Sequence, residues 1–172
     1  MKKLLAILAL AALTAAGAGT VFAEVSVDAA GWQSGVVEKP ARPAVWSDAT
    51  TVALDAKKGP QLRGKAVLKN RGPKPAVGVL VRYAAAARLV AADAKGDGAW
   101  ALPFLLDERR VPKVDANAVL EVPLSLSPKL ELYLAKLKMH GFRATELKLQ
   151  VMVAPHPDSV IRVVDSVLTV AQ

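Results

Sequence analysis

The sequence predicts an all-β protein, a two-sheet sandwich with one short helix, preceded by a cleaved signal peptide. Apolar residues recur with a period of two along most of the chain, the pattern of strands with one buried face. These runs are short and separated by clusters of glycine, proline, asparagine and aspartate, which punctuate turns. Only the segment after Ser127-Pro128 carries the period of an amphipathic helix.

Lys2 and Lys3 precede an unbroken apolar run from Leu4 to Leu13, followed by small residues and Val21-Phe22-Ala23. That is the layout of a secretory leader cleaved after Ala23, so residues 1–23 are assigned to a signal peptide and the product to the periplasm or the exterior. The run falls short of the roughly 20 apolar residues of a spanning helix, and no membrane span is expected after cleavage. Without Lys2 and Lys3, the 23 basic residues become 21 against 15 acidic ones, about +6. This balance favours an anionic polymer or an acidic envelope protein as partner. Nucleic acid is not expected, because no basic cluster interleaves with aromatics and no reader motif is present. The chain has no cysteine, which excludes stapled secreted scaffolds and thiol chemistry. The roughly 149 remaining residues can bury about 68–70% of their unfolded surface, enough for one core held by packing alone.

Residues 24–49 read as an irregular arm with one edge strand, because Pro40 and Pro43 cannot donate to a ladder. Its Trp32 and Trp46 either plug the arm onto the core or offer a flat binding platform. Residues 50–172 form the sandwich domain. TTVALD is a short strand ended by KKGP. From Leu62 to Lys69, Leu62, Gly64, Ala66 and Leu68 face one way and Arg63, Lys65 and Lys69 the other. Val77, Val79, Val81 and Tyr83 repeat the pattern with Arg82 outward, after the turn-forming NRGPKP. The two strands pair as a hairpin or arch between sheets; a hairpin would oppose Arg63 and Arg82, which favours the arch. AAAARLVAADA is open between helix and strand. Lys95 to Gly98 is a turn, joining a strand over Arg88–Asp93 to one over Trp100–Leu105. DERR at Asp107 to Arg110 reads as a loop and Ala118 to Leu126 as a strand. Ser127 caps a helix with Pro128 in its first position and stripe residues Leu130, Tyr133, Leu134 and Leu137; Gly141 ends it in a left-handed turn. Thr145 to Val153 is a strand. After the loop APHPDS, Val160–Val170 reads as a strand covered on both faces, its Asp165 expected in an ion pair with Arg162, Arg143 or Arg82. That makes about seven to nine strands.

Catalytic constellations fail one by one. His140 and His156 lie in different elements, so a metal site is not expected. No GxSxG elbow, SxxK or phosphate loop is present. Asp107 and Glu108 are neutralised by the two arginines that follow, and Asp93 and Asp97 make an incomplete calcium loop. No cofactor is expected.

Asn70-Arg71-Gly72 with Ala76, Val79 and Val81 resembles the N-x-G…A…V-x-V signature of bacterial immunoglobulin-like domains, closest to the cell-adhesion-related type. The resemblance spans Leu62 to Leu126; the helix and the tryptophan arm depart from it. It implies an immunoglobulin-like sandwich in which asparagine and glycine shape a turn between core strands, and a non-catalytic module for binding or spacing. The sequence thus leads to a non-enzymatic envelope-binding module with Arg63, Lys65, Lys69, Arg82, Trp32 and Trp46 as candidate partner-binding residues. The alternatives are an assembly chaperone presenting the edge of the terminal strand to an exported client, and a hydrolase with an unfamiliar site.

Overall fold

The computed structural model describes residues 24–36, 44–54, 61–94, 96–154 and 162–171. The leader, the prolines at 40 and 43, the KKGP turn and His156 lie outside them. Among the described residues, no helix is long and apolar enough to cross a membrane.

The chain order is β1 (Val25–Val36), β2 (Val45–Ala49), β3 (Thr51–Ala53), β4 (Gln61–Asn70), β5 (Ala76–Ala91), β6 (Ala99–Trp100), β7 (Leu105–Val114), β8 (Val119–Ser125), α1 (Lys129–Met139), β9 (Phe142–Val153) and β10 (Val164–Ala171). One sheet has the order β2-β1-β4-β8, the other β3-β10-β9-β5-β6, with β7 also on β5. β7 pairs with Ala76–Ala85 and β6 with Arg88 and Leu89, so both share one edge of β5.

The alternation read in the sequence sets the inner faces. Leu62, Ala66 and Leu68 of β4 meet Val81, Tyr83 and Ala85 of β5 across one core, with Leu147, Leu149 and Val151 of β9 and Leu168 of β10. β4 and β5 belong to different sheets, so Leu62 to Tyr83 is an arch and Arg63 never opposes Arg82. Gly64 leaves room for its neighbours: a Cβ there would lie 2.8 Å from Leu149 Cδ2 of the opposite sheet and 3.2 Å from Leu124 Cβ on the adjacent strand. Several side-chain hydrogen bonds cross between the sheets, among them those from Arg109 Nη1 to Pro123 O at 2.7 Å and from Asn70 Nδ2 to Val114 O at 3.2 Å. Trp32 Nε1 donates to Ser166 O at 3.2 Å, and Tyr83 Oη donates to Ser125 O at 3.0 Å. The helix closes one end through Leu130 and Leu137, with Tyr133 stacked on Phe104 at 4.3 Å. Its end at Gly141 is left-handed (φ +72), as the sequence predicts. Ser127 does not cap the first turn; its hydroxyl donates to Glu131 at 2.9 Å.

Three local readings are corrected, and one left open is decided. Within the arm over 24–49, Val25–Val36 and Val45–Ala49 are instead sandwich strands: β1 lies between β2 and β4 and sends Val27 and Trp32 into the core. The alanine run is strand, because Ala85 and Ala87 fill the narrow space between the sheets, and packing overrides helix propensity. DERR is part of β7, an edge strand whose charges face solvent. The last strand has one solvated face, where Asp165 is exposed and accepts from Gln150 Nε2 at 3.2 Å instead of forming an ion pair.

Candidate functional site

The outer face of the four-stranded sheet carries most of the cations singled out in the sequence. Its centre is Gln33 of β1, only 6% exposed. Gln33 Oε1 accepts from Arg63 Nε at 2.8 Å, while its Nε2 donates to Asp48 at 3.0 Å and Glu121 at 3.2 Å. Lys65 Nζ lies 2.6 Å from Asp48 and 3.7 Å from Glu121. Arg63 stacks over the Trp46 ring at 4.2 Å. Gly35 leaves room for the Trp46 ring, which a Cβ there would meet at 2.9 Å. One polar network therefore ties all four strands together, and Arg63, Lys65 and Trp46 are spent on one another and on its carboxylates. Lys69 lies on the same face.

Asp48 is held below the ordinary aspartate value, chiefly by the hydrogen bond from Lys65 and next by that from Gln33. Lys65 is correspondingly raised by its bond to Asp48. The folded carboxyl being the more acidic, its stabilising contribution is present above the unfolded aspartate value and lost as pH falls through the folded one. In a carbon-detected pH titration, the Asp48 midpoint is expected to lie below the ordinary aspartate range and to move up towards it in Lys65→Met. An unchanged midpoint would mean that the lysine does not set it.

The remaining candidates sit elsewhere. Trp32 is 1% exposed and is a core residue, so it cannot serve as a partner-binding surface. Arg82 is on the outer face of the other sheet, paired with Glu108 at 3.6 Å, so the four cations do not form one basic face.

That second outer face has a different character. Ala84 stands between the longer Leu106 of β7 and Gln150 of β9. The short side chain leaves a depression of 540 Å³ lined by Arg82, Ala84, Leu106, Glu108, Gln150, Met152 and Val163. Leu106 is 74% exposed and Val163 50%. Further along the face, Trp100 lies 4.6 Å from Lys148 Nζ and 5.7 Å from the Arg88 guanidinium, which pairs with Glu146 at 3.1 Å. Of this region the sequence reading singled out Arg82 alone. Leu106 is hidden in the sequence, and Glu108 reads there only as a loop carboxylate beside two arginines, because an edge strand exposed over most of its length shows no period of two. Only extending the alternation of Val77 to Tyr83 onward would have turned Ala84 outward.

Comparison with protein-family models and with curated proteins found no match to this chain.

Proposed function

We propose that this chain is an exported, non-enzymatic β-sandwich module that binds a protein or polymer of the cell envelope. The depression over Ala84 carries the reading. Its volume lies within the roughly 300–1,000 Å³ of ligand pockets. An apolar centre of Ala84, Leu106, Met152 and Val163 with Arg82, Glu108 and Gln150 around it also has the anatomy of a recognition surface. Of the charges in the lining, Arg82 and Glu108 pair with each other and Asp107 pairs with Lys129, which suits orientation of a partner better than proton transfer. The export component rests on the leader-like residues 1–23, and the resemblance around Asn70-Arg71-Gly72 supports a binding or spacing role.

Affinity capture from envelope extract tests the reading. Ala84→Trp fills the depression from its exposed side and is expected to remove the partners captured by the wild-type protein, while Lys69→Glu keeps them. Identical partner sets for wild type and Ala84→Trp would exclude the depression, and loss with Lys69→Glu alone would move the site to the four-stranded sheet.

A further inference from the structure

Among the described residues, a sheet edge beside β10 is only partly filled. β3 pairs in parallel with Thr169, Val170 and Ala171, and Thr169 N–H donates to Thr50 O at 2.9 Å. Main-chain groups alternate along a strand, so Asp165 and Val167 turn their N–H and C=O to the same side as Thr169. β9 occupies the other side from Val164 to Thr169. Among the described residues no strand stands beside Val164–Leu168 in the row of β3, because the preceding strand, β2, pairs with β1 in the opposite sheet.

Open edges invite pairing, and folded proteins blunt them with proline, charge or brevity. β7 carries Pro112 and an exposed run of charges, and β8 carries Pro123. β3 and β6 are only 3 and 2 residues long. The open stretch of β10, Val-Asp-Ser-Val-Leu, has no proline, lysine or arginine. Its outward side chains are Asp165, the single charge there, and Val167, 47% exposed, with Val163 just before it.

We infer that the row beside Val164–Leu168 accepts an extended segment of a partner polypeptide, added as a strand in line with β3. Main-chain bonds to Asp165 and Val167 supply the affinity. An apolar residue across from Val167 and a basic one across from Asp165 supply the selectivity. The edge adjoins the depression over Ala84 through Val163 and Gln150, and the test keeps the two apart.

The probe is a fluorescent peptide of alternating threonine and valine with one central lysine, titrated into the full chain by anisotropy. Val167→Pro removes an N–H that faces the row in line with β3 and leaves the β9 ladder intact, so its thermal midpoint should stay near that of the wild type. The peptide is expected to bind the wild-type protein and Ala84→Trp alike, to slow amide exchange at Asp165 and Val167, and to bind Val167→Pro at least roughly tenfold more weakly, as for lost main-chain hydrogen bonds. A peptide N-methylated along one edge reads out the same contact on the unaltered protein and should not bind. Equal binding of the N-methylated peptide, no binding by the wild type, or a concentration-dependent dimer that disappears in Val167→Pro would each overturn the inference. The last would assign the edge to a second copy of this chain. Loss of peptide binding in Ala84→Trp with retention in Val167→Pro would overturn it as well, leaving the proposed function standing on the depression alone.

Discussion

Asn70→Ala is expected to destabilise the fold by about 2–4 kcal/mol, because it strips several buried main-chain groups of one shared partner. Asn70 is 0% exposed, an unusual setting for an amide side chain. Its Oδ1 accepts from Gly72 N–H at 3.0 Å, closing the turn after β4. Its Nδ2 points at the carbonyls of Lys74 (2.8 Å), Asp115 (3.0 Å) and Val114 (3.2 Å). The first carbonyl belongs to the arch between the sheets and the other two to the end of β7. One side chain therefore fixes the arch and pins it to the strand that follows β5 in space. Asn70→Asp separates the two halves of this role. The introduced carboxyl still accepts from Gly72 but faces carbonyl oxygens where the amide donated, so its folded pKa is expected to be raised. Such a carboxyl costs stability increasingly as pH rises from the unfolded aspartate value towards the folded one. Denaturant unfolding at several pH values should show Asn70→Ala low throughout and Asn70→Asp worsening with pH. An alanine variant within about 0.5 kcal/mol of wild type would place the residue among ordinary surface positions.

Where the buried face is continuous, the architecture was legible in the sequence. β4 and β5 alternate because each has one face on the core, and the stripe Leu130, Leu134, Leu137 gave the helix. The failures have physical causes. β1 looked like an arm because Gly31, Gln33 and Gly35 break the pattern of a half-buried strand; their outward face is covered by Lys65, Arg63 and Trp46, which a linear pattern cannot express. The alanines stayed open between helix and strand because their suitability for a strand depends on how close the opposing sheet lies. The candidate site was hardest to read. Arg63, Lys65 and Arg82 share an outward phase in sequence, yet the arch sends the first two and the third to opposite outer faces, and sign and spacing alone do not reveal that Asp48 and Glu121 neutralise Lys65 while Arg63 is held by Gln33 and Trp46. The asparagine was singled out for its turn conformation, whereas its larger contribution is burial with all of its hydrogen-bonding atoms engaged.

Trp32→Ala is expected to be the most damaging single change described here, at about 3–5 kcal/mol for deletion of a fully buried large side chain. The indole belongs to β1 but reaches across the sandwich: its ring packs in the core, and its N–H donates to the Ser166 carbonyl of β10. The opposite strand of its own sheet makes room for it, since Gly64 is its register partner on β4 and offers no side chain. A small residue beside a large one fills the layer, so removing the large one leaves a hole that neither Gly64 nor the alanines of β5 can fill. For a domain of this size, the thermal midpoint should fall by roughly 10 °C or more. Trp32→Phe apportions the effect. It retains most of the apolar volume and loses the donor, leaving Ser166 O without the indole, and should cost about 1–2 kcal/mol. If the phenylalanine variant were as unstable as the alanine one, the cross-sheet hydrogen bond would outweigh the packing. If both were near wild type, Trp32 would be a peripheral plug and the core would be closed by other residues. The difference between the two variants therefore measures how far this sandwich, with no disulfide, depends on filling the space opposite Gly64.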